Sequence, residues 1–140
     1  MDLNTLTIAN SLNGFKKKDF TAKEIVFSCL KKIEKDDEKI HAFLTVCEEK
    51  SLREAEYINE QIIDKPLSGI PVAVKDVLST KDIRTTAGSK ILEDYIPPYD
   101  ATVVSKLKKA GAIIIGKTNR SDIFQETEQQ REARMKWWRE

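Results

Sequence analysis

Apolar residues recur along this chain at two spacings, one that suits helices and one that suits strands. Leu3, Leu6, Ala9 and Leu12 share one helical face, and the pattern stops at Asn13-Gly14, which predicts a first short helix. The stretch "TAKE" follows. Thr21 and Glu24 stand at the spacing of a capping box, in which each side chain accepts from the other residue's backbone N–H. Ile25, Val26, Cys29, Leu30 and Ile33 then line a second helix, which the charged run "KKIEKDDEK" is expected to close as a solvated face and loop. "IHAFLTV" is short, apolar and partly β-branched, hence strand-like. Leu52, Ala55, Ile58 and Ile62 predict a third helix between about Glu48 and Ile63.

The second half repeats the alternation. Val72, Ala73 and Val74 form a short strand opened by Gly69 and Pro71, and "STKDIRTTAGSK" is a polar loop long enough to carry function. Asp100 reads as the N-cap of a helix bearing Val103, Val104, Leu107 and Ala110, and Gly111 as its C-terminal stop. Ala112 to Ile115 is a buried strand closed by Gly116. Strand, helix and strand in that order favour a parallel α/β arrangement. The last stretch, "ETEQQREARMKWWRE", is charge-dense and helix-prone. It is either a solvated terminus or an interaction helix anchored by Trp137 and Trp138.

Composition narrows the function classes. The 140 residues are one domain's length, 40% hydrophobic and 34% charged. With 24 basic and 23 acidic side chains the net charge is +1, which argues against a general attraction to nucleic acid or an anionic membrane. Cys29 and Cys47 lack any C-x-x-C pairing and read as small buried hydrophobes in a reducing compartment. His41, the sole histidine, has too few companions for a metal site and reads as structural. The N-terminus has no secretory pattern and no apolar run has the length of a membrane span, so a cytoplasmic location is expected.

Two stretches hint at chemistry. "GAIIIGKT", Gly111 to Thr118, satisfies the phosphate-loop pattern G-x-x-x-x-G-K-[ST]. The positions between its glycines are Ala-Ile-Ile-Ile, which belong in a strand whose N–H groups serve a sheet rather than a phosphate. It reads as a false match. "GIPVAVKD" ends its strand on Lys75. By itself that lysine is either a solvated strand terminator or a desolvated amine able to take a proton from a nucleophile. Periodicity leaves both open.

"GIPVAVKDVLSTKDIRTTAGSKIL" followed by "PPYDATVVSKLKKAGAIIIGKTN" resembles the amidase signature family. Within it, the likeness is to the branch that serves as the A subunit of glutamine-dependent aspartyl/glutamyl-tRNA amidotransferases. It runs loosely through the first helices and tightly from Gly69 to Asn119. The resemblance implies an α/β fold, the N-terminal portion of a mixed, largely parallel sheet covered by helices, over residues 1–122. Residues 123–140 form a divergent charged tail. It also implies a triad of a nucleophilic serine, a second serine on a cis peptide bond, and the lysine that ends the G-I-P motif, which makes Lys75 the base. The implied reaction is glutamine hydrolysis, with ammonia passed to the B subunit for transamidation of an aminoacyl-tRNA and a small C subunit completing the assembly. No cofactor is implied in this chain, ATP and magnesium belonging to the partner subunit, and no direct nucleic-acid site.

The family's serines lie in a Gly/Ser-rich segment downstream of "GKTN", and no such segment occurs in these residues. Ser79, Ser89 and Ser105 stand in no such motif. The 140 residues alone are therefore expected to lack activity, since a lysine base without its serine has no proton to take. They are also expected to be marginally stable and to self-associate. The alternatives are a fragment of a general amidase and a truncated, non-catalytic interaction protein.

Overall fold

A computed structural model describes residues 2–60 and 65–119. After a 3-10 turn at Leu3–Thr5 come helices α1 (Ile8–Lys17) and α2 (Ala22–Ile40), strand β1 (Phe43–Val46) and helix α3 (Glu48–Glu60). Strand β2 (Pro71–Lys75), a second 3-10 turn at Lys90–Leu92, helix α4 (Thr102–Lys109) and strand β3 (Ile113–Thr118) follow. The expected Ile62 position and the charged tail lie outside the described residues.

The strands form one sheet in the order β1-β3-β2. β2 and β3 are parallel, as the strand–helix–strand order predicts, while β1 runs antiparallel to β3, so the sheet is mixed. β3 distributes its side chains as a strand must. Ile113 and Ile115 enter a cluster with Ala22, Val26 and Leu30 of α2 and Ala55 of α3, whereas Ile114 joins Cys47, Val74, Ile83 and Val104. Apolar residues thus cover both faces of the central strand, which is why its sequence shows no polar alternation.

Several boundaries differ from the sequence pattern, each for a local reason. Thr7 caps α1 by accepting from Asn10 N–H, so Leu3 and Leu6 precede the helix. The helix does not stop at Asn13-Gly14. A Cβ on Gly14 would sit 2.1 Å from the Phe20 ring, so this glycine serves close packing, and the turn comes at left-handed Lys18. The charged run after Ile33 continues α2 instead of ending it. Lys31–Glu34 and Lys32–Asp36 pair along the helix surface, and His41 at φ 53° closes it. The Asp37 carboxylate then accepts from the N–H groups of Ala42 and Phe43 and steers the chain into β1.

Asp100 is not the N-cap of α4. Ala101 holds that position without a side-chain cap, and the Asp100 carboxylate accepts instead from Lys81 N–H at 2.7 Å and from the Lys108 ammonium at 2.9 and 3.0 Å. Burial pushes that carboxyl up, but the hydrogen bonds outweigh it and hold it below its ordinary range. Gly111 ends the α4 turn as expected, at φ +94°, where a Cβ would lie 2.9 Å from the Ser68 backbone. Gly116 does not close β3, which runs on to Thr118.

The capping box at the start of α2 is present in full. Thr21 Oγ1 accepts from Glu24 N–H at 3.2 Å, and the Glu24 carboxylate accepts from Thr21 N–H at 2.7 Å and from its hydroxyl at 2.8 Å. Those bonds hold the Glu24 carboxyl below its ordinary range. Since α2 supplies most of one core cluster, Thr21→Ala is expected to lower unfolding stability by about 1 kcal/mol, checked by urea denaturation.

Candidate functional site

Lys75 is the last residue of β2, at the carboxyl end of the strand, and it is exposed. Lys75 stands at the strand end that the sequence predicts; of the two readings of its ammonium, the described residues leave it solvated rather than desolvated. Its Cα partner across the sheet is Thr118. Open α/β sheets place ligands at this end of their strands, where loops rather than helices' flanks line the surface.

The loop that follows is fixed by its polar groups. Asp76 N–H donates to Thr118 O at 2.9 Å and Asp76 O accepts from Ala87 N–H at 3.1 Å. Asp76 Oδ2 accepts from Thr86 N–H at 3.0 Å and, through a short hydrogen bond, from the Thr86 hydroxyl. The Thr86 hydroxyl in turn accepts from Gly88 N–H at 3.2 Å. Ala87 and Gly88 both have positive φ, 51° and 70°, so the chain bends sharply at the point where it is tied back to the strand end. Leu78 N–H donates to Lys75 O at 3.0 Å, closing the turn.

Beneath that turn lies Lys117, which is fully buried. Its ammonium donates to Leu78 O and to Thr85 Oγ1, each at 2.8 Å, and stands 3.7 Å from Asp76 Oδ1. Asp76 is also fully buried, and among the described residues its Oδ1 has no hydrogen-bond partner. Burial pushes the Lys117 ammonium below the ordinary lysine range, and the charge of Asp76 works against that.

Lys117 was hidden in the sequence inside the phosphate-loop match. In the fold Gly111 to Thr118 forms no cradle. Ile113 N–H donates to Ile70 O and the following residues lie in the ladder against β2. The usable signal was narrower: a lysine directly continuing an all-apolar strand must either leave the core or find partners within it. Asp76 supplies the counter-charge and Thr85 a hydroxyl, and Thr86, next to Thr85, donates to Asp76.

The other polar candidates lie apart from this arrangement. His41 is the half-buried C-cap of α2. Cys29 and Cys47 are free thiols, half-buried and buried, and burial pushes both above the ordinary range. No cluster of three potential metal ligands exists among the described residues. No described helix is long and apolar enough to cross a membrane.

Comparison with known proteins gives this geometry a context. Over 123 residues the chain is 51% identical to the A subunit of glutamyl-tRNA(Gln) amidotransferase from Koribacter versatilis, a match that covers 85% of this chain and 26% of that protein. Over 127 residues it is 45% identical to the protein of the same name from Alkaliphilus metalliredigens, covering 88% and 26%. In three dimensions it is similar to the native peptide amidase of Stenotrophomonas maltophilia, with a TM-score of 0.79 and 26% identity over 85% of this chain and 26% of that one. The chain thus spans about a quarter of the length of these relatives. Residues 24–134 match the model of the family described as Amidase. The chain belongs to the amidase family.

Proposed function

We propose that these residues form the lysine-bearing part of an amidase that hydrolyses glutamine and supplies ammonia for transamidation of Glu-tRNA(Gln) or Asp-tRNA(Asn). The observation that carries this reading is Lys75, at the carboxyl end of β2 on a turn tied back to the strand by backbone hydrogen bonds. Lys75 is the base. It receives, through a bridging serine, the proton of a nucleophilic serine whose Oγ attacks the carboxamide carbon. The C–N bond breaks, the proton goes to the leaving nitrogen, ammonia departs, and water then releases glutamate from the acyl-enzyme. Neither serine is assigned to a residue of this chain. The chain works without a cofactor of its own, in the cytoplasm, beside the B and C subunits of the amidotransferase. ATP and magnesium act at a partner subunit, which also meets the tRNA. The similarity to the A subunits of two glutamyl-tRNA(Gln) amidotransferases supports the glutamine-directed version.

A general amidase is the second reading, favoured by the structural likeness to a peptide amidase. The protein at its native length, with its partner subunits, should release ammonia from glutamine well above its rate on C-terminal peptide amides. Faster turnover of peptide amides would move the assignment to the general amidase. Release from neither by a folded preparation would leave a non-catalytic interaction protein.

A further inference from the structure

The buried ammonium of Lys117 is joined to Lys75 through the Leu78 backbone. Lys117 Nζ donates to Leu78 O, and Leu78 N–H donates to Lys75 O. On its other side the same ammonium faces the carboxylate of Asp76, the residue directly after Lys75. In the sheet Lys117 is the Cα partner of Val74, directly before Lys75. Both neighbours of Lys75 and its own carbonyl are therefore held, directly or at one remove, by Lys117.

A fully buried lysine and aspartate at this place cost desolvation that an apolar pair of similar size would avoid. Leu78 O also has a second donor in the Thr80 hydroxyl at 3.0 Å, so closing the turn does not by itself demand a charge. What the pair adds is a second tie beneath the turn, from Leu78 O through the Lys117 ammonium to the carboxylate of Asp76. The ionisable groups that bear on the Lys117 ammonium are Asp76 and the buried Cys47 thiol.

We propose that Lys117 and Asp76 are positioning residues for the amidase reaction: the buried pair fixes the turn that presents Lys75. This inference rests on the reading of Lys75 as the base. Removing Lys117 takes away the donor to Leu78 O and leaves Asp76 buried without its counter-charge, whereas Asp76→Asn keeps an acceptor for Thr86 and removes only the charge that faces Lys117. Positioning therefore predicts that the turn, and with it kcat, suffers while substrate binding does not.

The test is kcat and KM for ammonia release from glutamine by the protein at its native length, with its partner subunits. The variants are Lys117→Met, Asp76→Asn and the double variant, each checked for folding by circular dichroism. In all three, kcat should fall roughly 10- to 100-fold with KM within about twofold, because the turn is less well fixed while substrate binding is untouched. An unchanged kcat in a folded single variant, or a KM that rises in step with the loss of kcat, would overturn the proposal and leave the pair a structural one. If a single variant does not fold, the charge-free double variant decides: an undiminished kcat overturns the proposal, and a lowered kcat at unchanged KM supports it. Lys75→Ala, assayed in parallel, reports on the base assignment itself. Retained activity there refutes that reading whatever the pair does.

Discussion

Replacing Lys75 with alanine should lower ammonia release from glutamine by at least about 10²- to 10⁴-fold, the range that a positioned general base contributes. The informative companion is Lys75→Arg. An arginine keeps the positive charge and most of the reach but does not give up its proton in proteins, so it cannot serve as a base. If Lys75 merely terminates β2 in solvent, arginine should substitute with no loss. If it takes a proton, arginine should be as inactive as alanine. Since Lys75 is exposed, neither change should shift unfolding stability by more than about 0.5 kcal/mol, so lost activity cannot be put down to lost folding. Steady-state ammonia release, together with a denaturation curve for each variant, settles the matter, and near-normal turnover in Lys75→Arg would refute the role.

The second large effect concerns the core. Ile113 is fully buried and sits at the start of the central strand, in the cluster formed with α2 and α3. Its N–H donates to Ile70 O, so the backbone there is already committed and cannot shift far to fill a gap. Ile113→Ala should therefore cost about 2–5 kcal/mol, the transfer loss of the removed carbons plus the cavity left behind. Ile91, in the loop before α4, is 94% exposed, and Ile91→Ala should change stability by less than about 0.5 kcal/mol. Chemical denaturation of the two variants measures the contrast. Similar losses at both positions would mean that the Ile113 cluster is not the stabilising core.

The fold was readable wherever a residue's role depends on near neighbours. The Thr21–Glu24 box is complete within four consecutive residues and was legible in full. So was the turn at Gly111, which a positive φ demands. Asp100 shows where that local logic stops. An aspartate before a helix resembles an N-cap, but the partners that claim its carboxylate are the N–H of Lys81, far back in the chain, and the ammonium of Lys108 in the last turn of the helix. The charged run of α2 misled for a related reason. Its polarity suggested an end, whereas pairs such as Lys32–Asp36 exist only once the helix continues.

The site divides the same way. Lys75 was found because its stretch, Gly69 to Asp76, has a recognisable pattern and its position at a strand end follows from sequence. Lys117 was missed as a site residue because lysine in a sequence implies solvent, and nothing adjacent to it offers a counter-charge. Its partners Leu78, Thr85 and Asp76 arrive from the other side of the sheet junction only when β2 and β3 are paired. Burial of a charge is a tertiary property and left no local trace.

The order β1-β3-β2 also sets a timetable for the chain during synthesis. β3 is the last of the three strands in sequence and the middle one in space, and among the described residues β1 and β2 pair only with it. No rung of the ladder can form until the ribosome has begun to release Ile113–Thr118. Before that, the nascent chain can gather only what is local, chiefly the contact of α2 with α3. Two apolar strands wait unpaired on a helical hairpin, and the strand carrying Lys75 acquires a fixed backbone only when β3 slides in beside it. The lysine is translated early, but the turn that holds it is among the last features to be made.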